Sequence, residues 1–225
     1  MNRSRKARIN FFYETFPKGR LSVLAGKMLI GKSNFMISLA RLFKGGVVYL
    51  SLQRDIFGVV DKIKKQEEEE KLLDECHRFF ISDIPGVSLD EIWSIQENRP
   101  FSTVIIDYLQ LMNAAGCGFR HISRESELEF ICQQLDVLAR KTNTRIIAIS
   151  QLSHKISRPQ KEDCPKYLQT YGQLRLFYRP NYEKTLPKNR KTETVEIISW
   201  NEHDEEKTDI VYIDKETTAL RGVSD

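Results

Sequence analysis

Short apolar runs alternate with longer amphipathic stretches along most of the chain. Leu21 to Ala25, Val47 to Leu52, Phe79 to Ile81, Thr103 to Asp107 and Arg145 to Ser150 are brief and rich in apolar residues. That is the pattern of strands buried on both faces. The stretches between them carry apolar residues three and four apart: Phe35, Met36, Leu39 and Ala40, then Leu42 and Phe43; Ile56, Val59, Val60 and Ile63; Ile92, Trp93 and Ile95; Leu128, Ile131, Leu135 and Leu138. These spacings predict helices near 32–43, 56–77 and 125–142, and a further one that starts at Ser88 and carries Ile92, Trp93 and Ile95.

Punctuation agrees with the pattern. Pro17-Lys18-Gly19, Gly45-Gly46 and Asp83-Ile84-Pro85-Gly86 are turn signals. Ser88-Leu89-Asp90-Glu91 has the form of a capping box. From Ser153 to Thr170 the chain is polar, contains Pro159 and Pro165, and is expected to be irregular. Leu174 to Tyr178 is a further strand, and Pro180 to Arg190 a loop. Thr194 to Trp200 and Thr208 to Ile213 alternate like antiparallel strands. Strands alternating with helices predict an α/β fold with a mainly parallel central sheet flanked by helices. The late strands without helices predict an antiparallel edge near the C-terminus.

Composition narrows this only a little. The 225 residues suffice for a sizeable core. With no internal repeat and no flexible linker, a single domain over 1–225 is expected, with residues 1–15 as an N-terminal basic arm. Arg3, Arg5, Lys6 and Arg8 of that arm read either as a solvated terminus or as a contact for phosphate or a neighbouring subunit. No apolar run approaches the ~20 residues needed to span a bilayer. The basic N-terminus lacks a signal peptide's apolar segment, so a cytoplasmic protein is expected. Cys76, Cys117, Cys132 and Cys164 are scattered, which argues against zinc and against a disulfide framework. The net charge of +4 permits contact with nucleic acid without demanding it.

The chemistry concentrates between the first strand and the first helix. Gly26-Lys27-Met28-Leu29-Ile30-Gly31-Lys32-Ser33 fits G-x-x-x-x-G-K-[ST] in the strand–loop–helix context of a phosphate-binding loop. Glycines let the backbone curl, and the helix N-terminus adds partial positive charge. Lys32 is expected to reach the β- and γ-phosphates of ATP, and Ser33 to ligate Mg²⁺. Asn34, in the first helical turn, completes the nucleotide-binding set. Asp107, the acid that ends an apolar strand, is the second candidate for Mg²⁺. Candidate nucleic-acid contacts are Arg120 and Arg124 in the loop Asn113 to Arg124, and Lys155 and Arg158 in the segment Ser153 to Thr170.

Several segments in order resemble the motor domain of the DnaB-type replicative helicases. Val104 to Met112 is similar to that family's Walker B segment. Ser51-Leu52, Asp83-Ile84-Pro85-Gly86, Ile149-Ser150-Gln151-Leu152-Ser153 and Phe177-Tyr178-Arg179 resemble further parts of it, so that the likeness runs from about Phe16 to Gly222. It implies a RecA-like P-loop NTPase that binds ATP, forms hexameric rings around single-stranded DNA and works in DNA replication. The family's N-terminal helical domain is expected to have no counterpart here. The resemblance gives Gln151 the role of sensing the γ-phosphate and coupling it to DNA-binding loops. Lys32, Gln53 and Gln151 then form the candidate catalytic set.

Two departures bear on turnover. The family has a glutamate directly after Ser-Leu, acting as base for the attacking water, where this chain has Gln53. An amide orients water but cannot take its proton. The family's Lys-x-Arg-Asn-Gly stretch, whose cations reach a neighbour's nucleotide, aligns with Ile198-Ser199-Trp200-Asn201-Glu202. Asp55 is an alternative acid, and Arg175, Arg179 and Lys207 are alternative cations. The segment between Arg158 and Leu174 also lacks the family's Arg-Glu-Ser-Gly run. Three readings follow: an ATP-dependent DNA helicase, a nucleotide-binding accessory that docks on a related helicase without efficient hydrolysis, and a DNA-binding protein that does not unwind.

Overall fold

The computed structural model describes residues 10–52, 58, 60–61, 79–82, 85–115, 123–180, 192–214 and 220–223. The apolar runs form the first five strands of one sheet, with β3 at its edge: β1 (Arg20–Lys27), β2 (Val47–Ser51), β3 (Phe79–Ser82), β4 (Thr103–Asp107) and β5 (Arg145–Leu152). They are followed by β6 (Gln173–Tyr178), β7 (Thr192–Trp200), β8 (Glu206–Asp214) and β9 (Leu220–Val223). The order across the sheet is β3-β2-β4-β5-β1-β6-β7-β8-β9. Pairing is parallel from β3 to β6 and antiparallel from β6 to β9. This is the expected mainly parallel sheet with an antiparallel edge.

Helices cover both faces, because the inner strands are apolar on both. α1 (Lys32–Ala40) and the helical residues 10–15 pack on one face, where Phe12, Phe35, Tyr49, Ile105 and Phe177 form a core. The opposite face buries Val48, Val104, Ile106 and Ala148 under α2 (Leu89–Asn98), α3 (Arg124–Thr142) and α4 (Lys166–Tyr171). Alternation along β4 therefore puts Asp107 on the α1 face, with Ile105.

Local signals act as their chemistry requires. The Ser88 hydroxyl accepts from the Glu91 amide at 3.3 Å, and the Glu91 carboxylate accepts from the Ser88 amide at 2.7 Å, closing the capping box. α3 ends at Asn143 in the left-handed region (φ 50°), with Arg140 and Lys141 in its last turn. The segment expected to be irregular departs from that reading. It contains the 3₁₀ turn Lys161–Asp163 and then α4, which starts after Pro165 and buries Tyr167 and Leu168. Six residues are too few for a helical period to show in sequence. The helix expected over 56–77 lies largely outside the described residues, although 58 and 60–61 are helical. Strand β9 is an addition. No helix among the described residues is long and apolar enough to cross a membrane.

Candidate nucleotide site

The phosphate loop joins the carboxyl end of β1 to α1. Gly26 is required by its neighbour: a Cβ there would stand 2.6 Å from the Phe177 carbonyl oxygen of β6. Gly31 has φ 97°, and a Cβ on it would meet Arg179 Nη1 at 2.8 Å. Met28 and Leu29 turn outward, 51% and 86% exposed, so the loop's apolar side chains leave its polar backbone to face a ligand. Lys27 and Ile30 line the cleft beside it. The N-terminus of α1 carries no side-chain cap and no acid in its first turn, so its leading N–H groups have no competing side-chain acceptor. Asn34 lies in that first turn and is partly exposed.

Lys32 is 5% exposed and lies across the loop, its ammonium donating to the carbonyls of Gly26 (2.8 Å) and Lys27. Burial pushes its pKa down to about 8, against the opposing pull of the nearby Asp107 carboxylate. Asp107 is itself buried and accepts a 2.5 Å hydrogen bond from the Tyr49 hydroxyl. The Ser33 side chain lies beside that phenol. Ser33 and Asp107 thus flank one hydroxyl group. A buried ammonium, uncapped helical N–H groups, a hydroxyl and a carboxylate are the donor set that a nucleoside triphosphate with Mg²⁺ requires, and the residues fit it.

Gln151 stands beside Gly26 in the β1–β5 register. Gln110 clips its peptide from both sides, accepting from the Gln151 amide at 3.3 Å and donating to its carbonyl at 3.2 Å. Gln110 follows Asp107 by three positions, so the end of β5 is tied to the strand-end acid. Gln53 and Asp55 lie outside the described residues. A cleft of about 440 Å³ opens beside the loop, with Lys27, Met28, His154, Lys155 and Arg179 among its walls.

The candidate nucleic-acid residues are held differently. Arg120 lies outside the described residues. Arg124 pairs with Glu127 and donates to the carbonyls of Gln110 (2.8 Å) and Met112 (2.5 Å). Arg158 reaches Glu196 at 3.4 Å and Glu206 at 3.6 Å on the β7–β8 hairpin. Lys155 is exposed at the cleft. Cations that could replace a neighbour-reaching finger are also engaged within the chain. Arg179 donates to the Ile30 carbonyl at 2.8 Å and pairs with buried Glu193. Arg175 donates to the Leu174 carbonyl at 2.9 Å, and Lys207 pairs with Asp209 at 3.0 Å. Lys161 lies over the Trp200 ring at 5.6 Å while pairing with Asp204.

Sequence reasoning missed Tyr49, Gln110 and the Arg179–Glu193 pair as parts of the site. Tyr49 carried one signal, a hydroxyl inside an otherwise apolar strand. Arg179 was noticed only as a cation, and Glu193 carried no signal, because their partnership joins β7 to the residue after β6.

Residues 57–200 match the family described as DnaB-like helicase C terminal domain. The match begins after the phosphate loop, so the loop stands on its own sequence and geometry. A protein described as a probable replicative DNA helicase from Trieres chinensis is 28% identical over 171 residues, 63% of this chain and 37% of the relative. The replicative DNA helicase DnaB of Mycoplasma pneumoniae is 37% identical over 89 residues, 38% of this chain and 18% of the relative. The chain therefore spans well under half the length of these curated relatives. Among solved structures, a DnaB-like replicative helicase studied for its interactions with primase superposes with a TM-score of 0.72 at 21% identity, covering 91% of this chain and 59% of that one. That likeness is one of fold.

Proposed function

The chain belongs to the DnaB-like helicase C-terminal domain family, and from that membership we propose that it binds ATP with Mg²⁺ at Gly26 to Asn34, in a role related to replicative helicases, and cleaves the nucleotide poorly. The observation that carries this reading is the convergence of Lys32, Ser33 and Asp107 at the open end of β1 and β4. Lys32 and the leading amides of α1 would hold the phosphates. Ser33 and Asp107 would hold Mg²⁺, which when bound neutralises charge on the phosphate oxygens. Gln151, clipped by Gln110, would meet the γ-phosphate.

What the chain offers for the cleavage step is thinner. Gln53 can orient a water but accept no proton from it. Arg175, Arg179, Lys161 and Lys207 are each engaged within the chain. A finger cation is worth ~10³–10⁵ in rate and a general base ~10²–10⁴. Loss of both supports a nucleotide-holding protein, one domain in extent, that acts in the cytoplasm by docking on a related helicase. Assembly into a hexamer around single-stranded DNA is the second reading, favoured by the family.

Phosphate release with and without single-stranded DNA, on wild type and Gln53→Glu, tests the proposal. The expected result is a near-background rate in both proteins, with ATP bound by wild type and lost in Lys32→Ala. Several turnovers per second, stimulated by DNA, would replace it with the motor reading.

A further inference from the structure

Tyr49 is fully buried on β2, its ring packed near Phe79 with centroids 6.4 Å apart. Its hydroxyl donates to Asp107 Oδ2 at 2.5 Å, and the Ser33 side chain lies beside it. The phenol oxygen thus occupies the carboxylate that would hold Mg²⁺ in the nucleotide reading, on which this inference rests. A hydrogen bond to a buried carboxylate is charge-assisted and among the stronger kinds. The ring that delivers it sits in a close-packed core, where a side chain does not swing aside without disturbing its neighbours. Lys32 adds a nearby positive charge to the same carboxylate, which reduces what a further cation would gain there.

We propose that the Tyr49 hydroxyl competes with the divalent cation for Asp107, so that this chain binds ATP with little help from Mg²⁺. Tyr49 acts here as a specificity-determining residue for the metal, bonded to the carboxylate that would ligate it. Tyr49→Phe removes the competing oxygen while keeping the ring that fills the core. It leaves the Asp107 carboxylate to the cation.

The test measures ATP affinity by calorimetry in millimolar MgCl₂ and in EDTA, for both proteins, alongside Mn²⁺ binding to each nucleotide-free protein by electron paramagnetic resonance. Wild type is expected to gain less than about threefold in affinity from Mg²⁺. Tyr49→Phe is expected to gain at least about tenfold, the scale of one charge-assisted hydrogen bond, and to bind Mn²⁺ more tightly. An equal or smaller Mg²⁺ gain in the variant would overturn the inference. So would a tenfold gain in wild type, a result that needs no variant and decides the matter if Tyr49→Phe fails to fold. Absence of ATP binding in both proteins would instead remove the nucleotide reading. The Mn²⁺ comparison then decides the inference alone: tighter binding by the variant sustains it, and equal binding ends it.

Discussion

Below pH 8 Lys32 presents an ammonium to the phosphate loop, and above it the proton is progressively lost. In the unfolded chain the same group keeps its proton to about 10.5. Between these values the unfolded state binds the extra proton, so stability contributed by this group rises with pH across the window. Phosphate binding has the opposite sign, because it needs the charge. ATP affinity is expected to hold up to about pH 8 and then to fall, approaching tenfold per pH unit. Calorimetry across pH 7 to 10 checks this, with proton uptake on binding at the upper end. Lys32→Ala is expected to abolish binding and leave the melting transition cooperative. Arg145 poses a different problem at the same scale. Its guanidinium is 1% exposed, lies 4.5 Å from the Tyr13 ring and 4.2 Å from that of Phe43, and donates to the Phe16 carbonyl. Replacing it with Met keeps much of the volume but leaves that carbonyl without this donor and removes two cation–π contacts. A loss of about 2–4 kcal/mol is expected from chemical denaturation.

At the scale of elements, the strands were legible because burial on both faces leaves an unbroken apolar run, and α1 and α3 because their period extends over several turns. The Ser88 capping box was legible because its two bonds join residues three apart. What escaped was made by distance. Arg179 and the Ile30 carbonyl are 149 positions apart, and Arg145 and Phe16 are 129 apart; no local pattern announces such pairs. Tyr49 escaped because its ring satisfies the strand pattern and hides the hydroxyl's purpose. The Arg179–Glu193 pair joins the loop to β7 with side chains 8% and 2% exposed. Glu193→Ala takes away the carboxylate that pairs with a buried guanidinium, a change that typically costs about 3–5 kcal/mol. The accompanying expectation is weaker ATP binding, since Arg179 also braces the Ile30 carbonyl beneath Gly31. Thermal melts and calorimetry on the same variant report both effects. Ser88→Ala, remote from the loop, is expected to cost about 1 kcal/mol with ATP affinity unchanged.

At the scale of the whole molecule, the parallel sheet gathers the carboxyl ends of β1, β4 and β5 at one edge, where open α/β sheets take their ligands. The antiparallel strands extend that edge and commit Arg158 and Lys161 to carboxylates of the β7–β8 hairpin and its turn. Contact with single-stranded DNA through this side would then rely on cations not so committed, exposed Lys155 and Lys166 among them. It is expected to be weak and to fall steeply with salt, because phosphate contacts release counterions. Binding that is unchanged between low and high salt would contradict that expectation.

A fold that holds ATP without cleaving it should leave bound nucleotide intact, and the fate of that nucleotide can be followed. Protein in excess over γ-labelled ATP, with Mg²⁺ and single-stranded DNA present, is sampled over an hour and the label separated into ATP and phosphate. The label is expected to be retained on the protein and to remain ATP throughout. Conversion of the bound label to phosphate within seconds would contradict it.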